Sequence, residues 1–105
     1  MLRIKLSEDF AKKPGGRYIK EGPKSGEEFR KKHLLPMYKE AVRTRCKLEV
    51  DLDDCYGFPP SFLEEAFGGL AREVRDKGIL DVIEIRCMDR PGLKDKISKY
   101  VREAF

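Results

Sequence analysis

Three short stretches alternate apolar with charged residues, and they constrain the fold more than any other feature of the chain. Arg3 and Lys5 separate Leu2, Ile4 and Leu6; Glu49 and Asp51 separate Leu48, Val50 and Leu52; Glu84 and Arg86 separate Ile83, Ile85 and Cys87. A period of two sends successive side chains to opposite faces of a strand, so each stretch reads as a strand with one apolar and one charged face. A strand covered by helices on both sides would instead read as a near-continuous apolar run. The sheet is therefore expected to be covered on one face only. Arg3, Lys5, Glu49, Asp51, Glu84 and Arg86 should point to the other. A fourth short strand is expected over Arg17 to Lys20, because Pro14-Gly15-Gly16 and Gly22-Pro23 bracket it with turn-forming residues.

Three helical patterns follow. The clearest runs from about Phe62 to Lys77, where Leu63, Ala66, Phe67, Leu70, Ala71 and Val74 recur at steps of three and four. Ser61 followed by Glu64 has the form of a reciprocal capping box at its start, and Gly78 marks its end. Ser25-Gly26-Glu27-Glu28 offers the same box to an earlier helix reaching about Thr44. There Phe29 falls off the face shared by Leu34, Tyr38, Ala41 and Val42, and Pro36 removes an amide, which predicts a kink near His33 to Leu35. The last helix, about 92 to 105, places Leu93, Ile97, Tyr100, Val101 and Ala104 together. The expectation is one α/β domain over residues 1–105, with a mixed four-stranded sheet and three helices on one face.

Composition excludes several function classes. At 105 residues the chain has the length of one domain and can bury a core without disulfides or a structural metal. Charged residues make up 40% of it, and no apolar run approaches the ~20 residues of a membrane span or forms the h-region of a signal peptide. The expectation is a soluble, cytoplasmic protein. Three widely spaced cysteines and one histidine match neither a disulfide framework nor a zinc site, and no nucleophile is paired with a base. Neither catalysis, a cofactor nor a metal is expected. Residues 1–47 carry 14 Lys and Arg against 6 Asp and Glu, so a nucleic-acid partner for the basic first half is the alternative reading.

Gly16-Arg17, Ser25-Gly26-Glu27-Glu28-Phe29-Arg30, Leu35-Pro36 and the passage from Val50-Asp51-Leu52-Asp53 into Pro60-Ser61-Phe62-Leu63-Glu64-Glu65-Ala66-Phe67-Gly68 together resemble a bacterial STAS-like family of unknown function. That resemblance extends over nearly the whole chain. It implies the fold of anti-sigma factor antagonists, in which a serine at a strand-to-helix junction is phosphorylated by a partner kinase. The carry-over falls on Ser61, although Pro59, Pro60 and Phe62 depart from the residues that flank the phosphorylated serine in antagonists. The resemblance thus implies a protein partner, a kinase-like ATPase or another regulator.

The residues offer several sites, each with a structural alternative. Ser61 is a helix cap by its pattern and a phosphosite by resemblance. Asp51, Asp53 and Asp54 lie at a strand's carboxyl end, where α/β proteins bind ligands, yet Asp51 and Asp53 have the parity of the charged sheet face. Arg30-Lys31-Lys32-His33 spans a full helical turn, so the four cannot all face one ligand. Tyr56-Gly57-Phe58-Pro59-Pro60 fits neither periodic pattern; it is either a contact surface or a lid packed over the strand end. The expected working surface combines Asp54, Tyr56, Phe58, Ser61, Phe62 and Glu65.

Overall fold

The three alternating stretches pair as parallel strands in the computed structural model, which describes residues 1–105. They are β1 (Leu2–Lys5), β2 (Leu48–Asp51) and β3 (Ile83–Arg86), in the order β1-β2-β3. Five helices accompany them. Single turns at Leu6–Asp9 (α1) and Ile79–Val82 (α4) follow β1 and precede β3. The three long helices span residues 26–44 (α2) and 60–74 (α3) and Gly92–Glu103 (α5). The element order is therefore β1, α1, α2, β2, α3, α4, β3, α5.

The expected one-sided sheet is present. Register sets Leu2 beside Leu48 and Leu48 beside Ile83, then Ile4 beside Val50 and Val50 beside Ile85. These residues join the one apolar cluster that also takes in Phe29, Leu34, Phe67, Leu70, Ile97 and Val101 from the long helices. Fixed crossover handedness explains the arrangement: two right-handed crossovers that step in the same direction leave both helices on one face. On the other face Arg3 pairs with Glu49 at 3.0 Å and with Asp51 at 2.8 Å, and Lys47 pairs with Glu84 at 3.1 Å.

The sheet has three parallel strands rather than the expected four mixed ones. Arg17 to Lys20 forms no strand, because neighbouring groups already occupy its backbone. The Glu21 carboxylate accepts from the Tyr18 amide at 2.8 Å, Glu27 accepts from the Ile19 amide at 2.9 Å, and the Arg17 carbonyl takes the Glu27 amide. The segment closes instead as a 3₁₀ turn at Ile19–Glu21.

Both α2 and α3 contain a wide turn, at Arg30–Leu34 and Glu64–Gly68, where an amide reaches back five residues. The Leu35 amide donates to the Arg30 carbonyl, and the Gly69 amide to Glu64. The expected kink before Pro36 is thus a π turn in a continuous helix. It also corrects the reading of Phe29. Residues five apart stack in such a turn, so Phe29 lies in line with Leu34 and both are fully buried. Phe62 and Phe67 repeat the spacing across the second wide turn. Phe29 lies 6.0 Å from Phe62 and 5.3 Å from Phe10, ring centre to ring centre. Each such side chain contributes about 2 to 3 kcal/mol by burial.

Helix caps divide. Ser25 accepts from the Glu28 amide at 3.0 Å and caps α2 as expected. Ser61 does not cap α3: the cap is Pro59, and Pro60 occupies the first helical position. Proline is favoured there because its φ is preset and an amide would have no helical partner. At the far end α3 stops at Val74, with Arg75 left-handed at φ 55°, rather than at Gly78. Asp76 stabilises that stop by accepting from the Gly78 amide at 2.8 Å and from the Tyr38 hydroxyl at 3.0 Å. No helix is long and apolar enough to cross a membrane.

Candidate functional site

Parallel strands place the loops that leave β2 and β3 side by side at their carboxyl ends, the usual location of ligand and partner sites in α/β sheets. Here the loops after Asp51 and after Arg86 clasp each other. The Leu52 amide donates to the Arg86 carbonyl at 2.8 Å, and the Asp89 amide to Asp53 Oδ1 at 3.0 Å. Arg90 Nη2 donates to the Tyr56 carbonyl at 2.7 Å, while the Tyr56 amide donates to the Lys12 carbonyl at 2.8 Å. Tyr56 is therefore held through both its backbone groups. The residue nonetheless remains 75% exposed, as does Met88 on the loop after β3.

The same loops border a charged crevice of about 400 Å³ lined by Arg3, Lys5, Asp51, Asp53, Asp54, Arg86, Met88 and Asp89. Asp51 is 2% exposed. Burial opposes its ionisation, but the Asp53 amide, Arg3 and Lys5 outweigh that and hold its carboxyl below the ordinary carboxylate range. Lys5 also reaches Asp54 at 2.9 Å. Asp53 and Asp89 differ, because neither forms an ion pair although Asp51 and Asp54 both do. One carboxylate oxygen from each lies with the Cys87 sulfur inside a 4.8 Å circle. Burial pushes the Cys87 thiol up to about 11, so at neutral pH it is a protonated thiol rather than a metal-binding thiolate. Asp89 is held below the ordinary carboxylate range chiefly by a hydrogen bond with the Asp53 side chain, helped by the Asp54 amide and by Arg90.

The expected site residues separate in the fold. Asp54, left-handed at φ 70°, and Tyr56 are exposed; Phe58 and Ser61 are half-buried. Phe62 is fully buried, 6.1 Å from the Phe58 ring, and belongs to the aromatic core. Glu65 is also interior, paired with Arg30, which donates to both its carboxylate and its backbone carbonyl. The surface at the junction is thus narrower than the six expected residues. The sequence reading missed Met88, Asp89 and Arg90, which join the site only because β2 and β3 run parallel.

The family described as a STAS-like domain of unknown function matches residues 25–93. The chain belongs to that family. Comparison with curated proteins and with solved structures returns no significant match.

In this STAS-like chain the match takes in β2, β3, α2, α3 and both clasped loops, whereas β1 and most of α5 lie outside it. Ser61 occupies the second helical position of α3, so its hydroxyl is not committed to a cap. Most of the basic stripe is neutralised within the STAS-like fold. Lys31 pairs with Glu27 at 2.8 Å, Lys32 with Glu28 at 3.3 Å, Lys47 with Glu84, and Arg43 with Glu40. Arg30 is buried against Glu65.

Proposed function

We propose that this STAS-like domain is a non-enzymatic regulatory module that docks a protein partner at the strand-to-helix junction. One observation carries the reading: Tyr56 exposes its ring while both its backbone groups are tied down. A contact residue that is already immobilised loses little conformational freedom on binding, and aromatic anchors dominate interface energetics. The chemistry of the site agrees with binding rather than reaction. Burial pushes Cys55 and Cys87 up to about 11, so neither supplies a nucleophile at neutral pH. His33 is half-buried, with its ring 5.6 Å from Phe10 and 6.1 Å from Phe29.

The partner that the resemblance to anti-sigma factor antagonists suggests is a kinase-like ATPase or another regulator, and Ser61 is where phosphorylation would control docking. Phosphate in the first turn of α3 would be favoured by the helix dipole and would alter the surface beside Phe58. Nucleic acid is the weaker reading, because the carboxylates already paired with Lys31, Lys32, Arg43 and Lys47 compete with phosphates for them. The test is affinity capture from cell lysate by the intact protein, by Tyr56→Ala and by Ser61→Asp, beside oligonucleotide binding at low salt. The reading expects a protein retained by the intact chain and lost with Tyr56→Ala, with Ser61→Asp altering its retention. Retention unaffected by both substitutions, together with salt-dependent oligonucleotide binding, would overturn it.

A further inference from the structure

We infer that the chain pairs with a second copy of itself along the free edge of β3, forming a six-stranded sheet across a two-fold axis. This stands apart from the docking reading above. β3 pairs with β2 alone, so one of its edges is open, and besides β2 only the adjoining α4 makes extended contact with it. The Leu52 amide donates to the Arg86 carbonyl, which sets the backbone groups of Glu84 and Arg86 toward β2 and those of Ile85 and Cys87 toward the open edge. Unpaired edge groups of this kind are a template for another strand. The opposite edge of the sheet, on β1, is better protected. Its outward Lys5 amide donates to Asp9 at 2.8 Å, and Ile4 is buried. No side chain takes the Ile85 amide in this way, and Ile85 is only half-buried.

Charge selects the occupant, because the edge is complementary to itself. Antiparallel pairing about a two-fold axis at Ile85 sets the two Ile85 residues side by side, where their outward groups exchange both hydrogen bonds. The same register sets Glu84 beside the second copy's Arg86, and Arg86 beside its Glu84. A slip of two residues would set Glu84 on Glu84 or Arg86 on Arg86, and a slip of one would bring charged residues onto the apolar face. Glu84 also lies directly beside Glu49 of β2, so a guanidinium on its free side relieves a repulsion within the sheet. Lys47 reaches Glu84 at 3.1 Å and Glu49 reaches Arg86 at 4.0 Å, yet the Glu84 and Arg86 side chains remain about half exposed and can each take a further partner. β1 cannot repeat the contact, since Arg3 and Lys5 would meet only cations, and the assembly therefore stops at two copies. Pairing of two short strands buries less than the ~1,200 Å² at which stable interfaces begin, so the dimer forms reversibly with concentration.

Sedimentation equilibrium of the intact protein over a concentration series provides the test. The mass should rise from one chain toward two and no further. Arg86→Glu sets a carboxylate beside Glu84, Glu84→Arg sets a guanidinium beside Arg86, and each should weaken dimerisation about 10-fold. The double variant that exchanges the two residues should restore it, because the pairs are then merely reversed. Ile85→Pro removes the outward amide and leaves the β2 ladder intact, so it should hold the chain monomeric. Urea midpoints taken at a dilution where the parent is monomeric show which variants are folded, and the charge variants serve if Ile85→Pro is not. Tyr56→Ala lies outside the pairing and should dimerise as the parent does, which separates this inference from the docking reading. A monomer at every concentration, a mass above two chains, or a dimer indifferent to the single charge reversals would overturn the inference. So would a dimer that both reversals weaken and the exchange does not restore, since the contact would then lie on the bare sheet face instead.

Discussion

Arg30 and Glu65 meet between the two wide helical turns, the guanidinium donating to both the side chain and the backbone carbonyl of Glu65. The contact is possible because residue 69 is glycine: a Cβ there would collide with Arg30 Nη1. Gly26 plays the same role where α2 crosses the Phe62 carbonyl. The side chains of Arg30 and Glu65 are about nine-tenths buried. Removal of Arg30 leaves the buried Glu65 carboxylate only the longer 3.7 Å contacts with Arg17 and Arg72, so Arg30→Met should lower stability by about 2 to 3 kcal/mol in urea unfolding. A loss below about 1 kcal/mol would show that the packing, not the pair, holds α2 on α3.

Acid stability should depend on Asp51. Its folded-state pKa is depressed, so its contribution is fully present above the unfolded value near 3.9 and is lost as pH falls through the lower folded value. Asp51→Asn should cost about 1.5 to 3 kcal/mol at pH 7, the range for hydrogen bonds to charged groups. It should also flatten the fall in stability between about pH 5 and pH 2. An unchanged slope in a pH series of unfolding midpoints would assign the acid sensitivity elsewhere, with Glu64, held low by Arg72 and Arg17, the next residue to test.

The three thiols should react at different rates. Cys46 is half-buried, whereas Cys55 and Cys87 are buried and pushed up to about 11. At pH 8 only about one in a thousand of the latter two is a thiolate, so iodoacetamide should modify one thiol quickly and the others only after unfolding. Mass spectrometry of the native protein reads this directly. Fast labelling of Cys87 would mean that the loop after β3 opens.

Serine substitutions should separate the two helix starts. Ser25→Ala removes the hydroxyl that accepts from Glu28 and should cost about 1 kcal/mol. Ser61→Ala removes no cap and should cost under about 0.5 kcal/mol. Equal shifts in urea midpoint would contradict the assignment of Pro59 as the cap.

The strand alternation made the one-sided sheet legible, because burial parity survives any strand order. Strand direction did not show, since Arg3, Glu49 and Glu84 point outward in a parallel or an antiparallel sheet alike. That ambiguity hid the second half of the site: nothing local to Met88, Asp89 or Arg90 associates them with Tyr56. Phe29 departs from its sequence pattern for a different reason. A fixed 100° step cannot follow a helix through a wide turn, and the wide turns at Arg30–Leu34 and Glu64–Gly68 lie where α2 and α3 touch. Ser61 and Glu64 match the capping-box pattern, but Pro60 one residue earlier is the stronger start signal. Glu64 then pairs with Arg17 and Arg72 rather than with the helix start.

Docking at the strand ends is tested most directly by mapping the backbone amides that shift when the ¹⁵N-labelled protein is titrated with the partner captured from lysate. The account predicts shifts concentrated at residues 53–58 and 88–90, and at least a 10-fold weaker affinity for Tyr56→Ala. Shifts centred on Lys31, Lys32 and Lys39 of α2, with Tyr56→Ala binding as the parent does, would contradict it.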